Sequence, residues 1–183
     1  MPRPADLGVC GTPNDTAGIA ETIGVSETGA ANLHVTTLFL DHTPITISGA
    51  TGVGFGGTKV YDFPPGRILI LGVTASVAFP IVSTKGDLAD TADGDWAMGT
   101  TSEEDGTMDR ATDINLIPKT ATAANALSTA TNAALAASAH IDGTSTAVDA
   151  YINCTVDDAE TDEVSVLGAT GTVTITWVNL GDY

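Results

Sequence analysis

The segment from Asp87 to Asp95, DLADTADGD, holds four carboxylates in nine residues and is the best candidate for a metal site. Its Gly turn between Asp93 and Asp95 resembles loops in which hard oxygen ligands surround Ca²⁺. The EF-hand pattern is incomplete, because no Glu stands at the position that closes the coordination shell. Asp90, Asp93 and Asp95 are therefore a weak calcium candidate, and a solvated acidic loop is the alternative.

Two further acidic runs, residues 103–105 and 157–163, are expected to be charged loops that point to solvent. The second separates two predicted strands, where charge discourages unwanted edge pairing. Hydrolysis of a glycosidic bond needs two carboxylates that converge in a cleft. With 23 Asp and Glu in the chain, some pair will lie close by chance, so such a pair is no evidence of catalysis. A sugar would also need an aromatic side chain to stack on, and only Trp96 and Trp177 are available; Trp177 is expected to lie partly in the core. We therefore assign no catalytic residue, expect no cofactor and do not expect an enzyme.

Histidine and cysteine spacing gives no metal or thiol site. His34 and His42 are eight residues apart and His140 is remote from both, whereas zinc ligands cluster. Cys154 lies in the strand-like run YINCTV, where a small buried thiol is the usual explanation. Cys10 lies among Gly and Pro, and two cysteines are too few for a disulfide scaffold, so a Cys10–Cys154 bridge stays open.

A glycine-rich segment at residues 49–57 fits the spacing of a dinucleotide-binding loop through Gly52, Gly54 and Gly57. Such a site needs a helix directly after the glycines, so that the amide groups and the helix dipole meet the pyrophosphate. Residues 58–63, TKVYDF, alternate like a strand instead. The glycines are therefore interpreted as a loop between strands.

Charge and composition narrow the classes of function. The formal net charge is -17, which opposes unspecialised binding to nucleic acid or to an anionic membrane. The longest apolar run, residues 68–71, cannot cross a bilayer, and the amino end leads into no signal-peptide segment. We expect a soluble protein made in the cytosol. Aromatic residues are only 5% of the chain, which predicts a thin aliphatic core that gains stability from contacts between subunits.

Short alternating runs predict the fold. The Pro-Pro-Gly sequence at residues 64–66 marks a turn, and the runs around it are rich in Val, Ile and Thr. Some eight or nine short strands predict an all-β, jelly-roll-like β-sandwich. The clearest of them are expected at residues 33–40, 44–48, 58–63, 67–78, 96–99, 148–156 and 170–178, with 67–78 as one long strand or two strands broken at Gly72.

The chain divides into two parts. Residues 1–33 are rich in Gly, Thr, Pro and Ala without clear periodicity, and they predict an irregular, extended amino-terminal arm. Residues 34–183 form the β-sandwich domain. At most one helix is expected, between residues 121 and 139, where alanines surround Leu127 and Leu135; an irregular Ala/Thr segment is the alternative.

Three segments carry a family resemblance: KVYDFPPG at 59–66, DGTSTAVDAYIN at 142–153 and GTVTITWVNLGDY at 171–183. Together they are similar to small virion proteins of tailed bacteriophages described as capsid decoration, or cement, proteins. The likeness spans about residues 55–183 and consists of strand and turn patterns. It implies a β-sandwich subunit on the capsid exterior, commonly a trimer, and it transfers no catalytic residue.

The expected function is therefore that of a virion structural protein that reinforces the outside of the head shell. Its partners would be the major capsid protein and further copies of itself, with a trimer as first choice. The alternative is a carbohydrate-binding or host-adsorption module that uses an exposed Trp96 and the acidic loops. Because like-charged copies repel, the contact surfaces should be Thr-rich or apolar strand faces that lack Asp and Glu, and the acidic loops should face solvent.

Overall fold

A computed structural model describes residues 21–30, 32–48, 53–83, 88, 91–103, 105–123, 126–135, 138–156 and 164–181. Within these ranges the chain forms eleven strands and no helix. In chain order they are β1 (Ile23–Ala30), β2 (Leu33–Ile47), β3 (Gly54–Asp62), β4 (Gly66–Ala78), β5 (Ile81–Ser83), β6 (Gly94–Gly99), β7 (Ile117–Ala121), β8 (Thr131–Ala134), β9 (Ala139–Gly143), β10 (Asp149–Val156) and β11 (Ser165–Gly181).

The strands form two antiparallel sheets. The large sheet has the order β1-β2-β11-β4-β8, with β5 paired to β11 and β9 paired to β4. The small sheet has the order β3-β10-β6-β7. The predicted all-β sandwich is confirmed. β11 occupies the middle of the large sheet, since it pairs with β2 along one side and with β4 along the other.

The core lies between the two sheets and is built mainly from aliphatic side chains. Alternate residues of β11, namely Val173, Ile175 and Trp177, point inward and are at most 1% exposed. Ile152 and Cys154 of β10 meet them from the small sheet and are completely buried. The alternation that predicted these strands therefore also orients them, because successive side chains of a strand point to opposite faces.

β2 is one strand of fifteen residues, where the sequence predicted two. Asp41 and His42 interrupt the hydrophobic pattern, but they form an irregularity within the strand. The pairing with β11 shifts register between Ala169 and Gly171, and His42 adopts a φ of 52°. Gly171 has a φ of 143°, and a Cβ there would lie 2.0 Å from the carbonyl oxygen of Ser76. The extra residue of this bulge lies on β2, and the glycine at position 171 lets β11 pass opposite it without a clash with Ser76.

One expectation about the less regular segments was wrong. Residues 23–30, assigned to the irregular arm, form β1 and pair with β2 over their whole length; residues 1–20 lie outside the described residues. The segment at 121–139, where at most one helix was expected, contains β8 and no helix among its described residues. Within its described part, Leu127 is buried in the core beside a turn.

The outer faces of the two sheets differ. Residues 100–116, of which 104 is outside the described residues, cover the small sheet, so that Asn153 and Thr155 are buried although they point away from the core. Alternate residues of β11 on the outer face of the large sheet, Thr172, Thr174 and Thr176, are partly or fully exposed. This difference decides which sheet can offer a contact surface.

Candidate functional site

The residues proposed for calcium do not form a cluster in the described part of the chain. Asp95 lies on β6, and its carboxylate forms an ion pair with Lys119, whose Nζ lies 2.9 Å from Asp95 Oδ2. Asp93 is exposed just before that strand, and Asp90 lies outside the described residues. Among the residues that the structure describes, no group of three His, Cys, Asp or Glu could hold a metal ion. The calcium site stays a prediction, with Asp95 already neutralised by a lysine.

The histidines occupy three separate environments. His34 is 8% exposed and stacks on Trp177, with ring centroids 4.1 Å apart and planes inclined by 9°. Its Nδ1 lies 2.7 Å from Glu27 Oε1. His42 lies at the bulge of β2, beside the exposed Asp41, and His140 is exposed on β9. We assign His34 a structural role, because its contacts, Trp177 and Glu27, both belong to strands of the large sheet.

A hydrogen-bonded chain joins His34 to the small sheet. The Tyr61 hydroxyl on β3 donates to Glu27 Oε2 at 3.0 Å, and the Trp177 indole N–H donates to Thr36 Oγ1 at 2.9 Å. The Thr36 hydroxyl in turn lies 3.5 Å from the Tyr61 hydroxyl. Burial raises the pKa of Tyr61, and the nearby Glu27 carboxylate raises it further. Through these hydrogen bonds Glu27 links β1 to His34 of the large sheet and to Tyr61 of the small sheet.

Trp96 is not the exposed sugar platform that the alternative function required. It is completely buried, packs at 5.8 Å from the Phe79 ring and donates its indole N–H to Thr131 Oγ1 at 2.8 Å. Trp177, expected in part of the core, is 1% exposed. Both tryptophans therefore stabilise the sandwich, and neither is accessible to a ligand.

The first acidic loop is also different from the expectation, because Glu103 is only 4% exposed. Its Oε1 accepts the backbone N–H groups of Asp105 and Gly106, both at 3.1 Å. Burial raises the pKa of Glu103, and the charge of Asp113 adds to this effect. Asp105 is exposed as predicted, and residues 104 and 157–163 lie outside the described residues.

Asn153 of β10 holds this loop to the small sheet. Its side-chain amide donates to the carbonyls of Thr101 and Asp113, at 3.0 and 3.1 Å, and its Oδ1 accepts the Glu103 N–H at 2.9 Å. Asp113 is completely buried and pairs with Arg110 Nε at 3.2 Å. The cluster uses its polar groups to close the loop over the sheet, which is a structural role.

A second charged cluster lies at the end of β3. Lys59 Nζ lies 2.8 Å from Asp149 Oδ1 and 3.4 Å from Asp62 Oδ2, and the Tyr151 hydroxyl donates to Asp149 Oδ2 at 3.1 Å. Burial raises the pKa of Asp62. For Asp149, the contacts with Lys59 and Tyr151 outweigh burial and lower the pKa. Lys59 thus bridges two carboxylates on neighbouring strands, and this contact stabilises the β3–β10 pair.

Cys154 and the glycine segment show no sign of ligand chemistry. Cys154 is a free, completely buried thiol whose pKa is raised by burial; Cys10 lies outside the described residues. Gly54 and Gly57 belong to β3, so a strand follows the glycines in place of the helix that a dinucleotide site needs. Gly52 lies outside the described residues. Within the part of the chain that the structure describes, no helix is long and apolar enough to cross a membrane.

One feature stands apart: four cross-strand rows on the outer face of the large sheet carry no Asp, Glu, Lys or Arg. We call this the uncharged face. Cross-strand partners form its rows. The rows are Gly24-Phe39-Thr172-Ser76-Asn132, Ser26-Thr37-Thr174-Thr74-Ala134, Thr28-Val35-Thr176-Gly72 and Ala30-Leu33-Val178-Leu69.

The uncharged face combines hydroxyl groups with exposed apolar side chains. Leu33 and Phe39 are 45% and 50% exposed. An open groove of about 510 Å³ runs across it, lined by Thr74, Ser76, Asn132, Ala134, Thr172 and Thr174 among others. Charged or titratable groups lie at its two ends: Arg67, His140 and Asp142 beside and beyond Leu69, and the exposed Asp41 beyond Phe39. This is the kind of Thr-rich, acid-free strand face that we expected at a contact.

No protein-family model matches the chain, and no curated protein or solved structure matches it either. The candidate site therefore has to be judged from its own geometry.

Proposed function

We propose that the protein is a structural subunit of a virion, a decoration or cement protein that attaches to the outer surface of the head shell. The observation that carries this proposal is the uncharged face on a chain of net charge -17. A protein that must dock onto a surface in many copies needs one face from which mutual repulsion is removed. The remaining charge then keeps the exterior soluble at high local concentration.

The size of the uncharged face is adequate for a specific contact. Five strands spaced about 4.8 Å apart, with about eight residues of about 3.4 Å rise, give roughly 24 Å by 27 Å, or about 650 Å². If a partner buries an equal area, the total is about 1,300 Å², which lies at the lower end of stable specific interfaces. Leu33 and Phe39 would supply apolar anchors, and the Thr hydroxyls would supply hydrogen bonds without a buried charge.

The partner under this proposal is the major capsid protein, with further copies of the chain as neighbours on the shell, and the location is the capsid exterior. The family resemblance supports the virion context and the expectation of trimers. The alternative carbohydrate-binding function has lost its aromatic platform, since Trp96 is buried. We retain it only as an outcome of the test.

The test uses tailed-phage particles that carry this chain, stripped of it and then incubated with purified protein. Wild type should rebind with a saturable stoichiometry. The double variant T74E/T174E places two carboxylates at the centre of the uncharged face, and it should lose most binding because a desolvated charge costs several kcal/mol unless it is paired. The matched control S145E/T146E adds the same charge at an exposed turn outside this face and should bind normally.

Two results would contradict the proposal. One is T74E/T174E binding to particles as well as S145E/T146E does, which would remove the uncharged face from the contact. The other is the absence of the chain from every virion fraction together with a specific micromolar ligand on a glycan array, which would favour the carbohydrate-binding alternative.

A further inference from the structure

β1 forms an open edge of the large sheet. Among the described residues it pairs only with β2, and that pairing runs through eight consecutive residues without a bulge. Natural proteins normally protect such edges with charged residues, proline, bulges or short strands. β1 has no proline, and its one charged side chain, Glu27, is held on the inner side by His34 and Tyr61. Within the described part of the chain this edge is uncovered, and it can therefore act as a template for another strand.

The other sheet edges are less suitable. β8 and β9 are only four and five residues long. β7 carries Lys119, which pairs with Asp95. β3 pairs with β10 through a register shift and carries the Lys59 cluster at its end. Length, regularity and lack of charge therefore distinguish β1.

The hydrogen-bond pattern defines which groups of β1 are open. The Asp41 N–H donates to the Thr22 carbonyl at 3.0 Å, so Thr22 and Asp41 form a hydrogen-bonded pair. Such pairs recur at every second residue of an antiparallel ladder. The even-numbered residues of β1 therefore bond to β2. The N–H and C=O groups of Ile23, Val25, Glu27 and Gly29 point away from the sheet.

We infer that β1 pairs antiparallel with the β1 strand of a second copy of this chain, about a twofold axis at Ser26. In this register Ile23 lies opposite Gly29 of the second copy and Val25 lies opposite Glu27. All four open residues then form hydrogen-bonded pairs, and Ser26 faces its own counterpart. A strand paired with itself in this way needs no complementary charge, which suits two copies that each carry -17.

The side chains around the axis are compatible with this contact. On the outer side, Gly24 would lie opposite Thr28 and Ser26 opposite Ser26, all small and uncharged. The pairing would also join the uncharged faces of two copies into one continuous surface, which doubles the area available for docking. A twofold contact differs from the trimer that the family resemblance implies, so the mass of the complex discriminates between the two arrangements. The inference does not depend on attachment to a capsid.

A charge exchange at Ser26 tests the register. Each of S26D and S26K places two like charges directly opposite each other, about 5 Å apart, and should weaken dimerisation about tenfold at low salt. An equimolar mixture should restore a heterodimer of wild-type affinity or better, as measured by native mass spectrometry and sedimentation equilibrium. T37D, one strand inward in the same row of the uncharged face, should dimerise like wild type.

A cross-link provides the second measurement. S26C should form a symmetric disulfide on mild oxidation, because directly opposed residues place their Cα atoms about 4.5–5.5 Å apart. T37C should not, since two further strands separate the thiols. The inference is wrong if S26D and S26K associate like wild type, if T37D abolishes association as they do, or if the complex is a trimer. A monomer at the highest soluble concentration with no S26C cross-link would also overturn it.

Discussion

Replacement of Asn153 by Leu should be among the most destabilising single changes in the small sheet. The two side chains are similar in size, so the cavity contribution is small. The loss is that of three hydrogen bonds, to the Thr101 and Asp113 carbonyls and from the Glu103 N–H, at a completely buried position. Each net contribution is about 1 kcal/mol, and a buried group left without a partner adds to it, so the expected loss is about 3–5 kcal/mol.

The assay is urea unfolding of N153L followed by far-ultraviolet circular dichroism, with the slope compared between variants to confirm that the unfolding transition is the same. N132L is the matched control, since Asn132 is exposed on β8 and its substitution should change the unfolding free energy by less than about 0.5 kcal/mol. Hydrogen exchange should also show faster opening of residues 100–116 in N153L. A loss below about 1 kcal/mol would refute the role given to Asn153 as the attachment of this segment.

Two further predictions concern buried groups. Because burial raises the pKa of Glu103, wild type should lose stability as the pH rises from the value of a solvated Glu, about 4.3, through the raised pKa of the folded state. E103Q should lack this loss, so the unfolding free energy of E103Q relative to wild type, measured in urea, should be higher at pH 8 than at pH 4. The reasoning fails if this difference in unfolding free energy is the same at both pH values. It also fails if the exposed control E21Q shows the same trend. W177F should lose about 2–3 kcal/mol of unfolding free energy, because it removes the hydrogen bond to Thr36 and leaves space beside His34. The control F39L, on the exposed face, should change the unfolding free energy very little. Equal losses in the two variants would show that Trp177 does not anchor the core.

The sequence predicted the longer strands that bury alternate side chains, and it missed β1 and the short strands β5, β7, β8 and β9. The prediction for β4, residues 67–78, matches Gly66–Ala78 almost from end to end, whereas the prediction for β11, residues 170–178, covers only about the central half of Ser165–Gly181. β1 consists largely of small and polar residues, all exposed after Ile23, and its conformation depends on pairing with β2. No local pattern of burial reveals such a strand.

The polar residues were harder to place for a related reason. Glu103 stands in an acidic run that is typical of a solvated loop, yet its burial depends on Asn153, fifty residues away. Trp96 lies among acidic residues that suggested exposure, but the side of β6 on which it stands faces the core. The absence of acids from a Thr-rich strand face could be expected from repulsion alone. Its continuity over five strands required the pairing order, which the sequence did not provide.

The position of β11 has a consequence for how the protein is made. β11 is the last strand among the described residues, yet it lies in the middle of the large sheet and separates β2 from β4. While β11 is still being translated, these two strands have no partner between them and the core lacks Val173, Ile175 and Trp177. Folding should therefore begin late, after residue 181 has left the ribosome, and a chain interrupted before that point would expose unpaired strands. Dependence on such distant pairing is also typical of slowly folding domains.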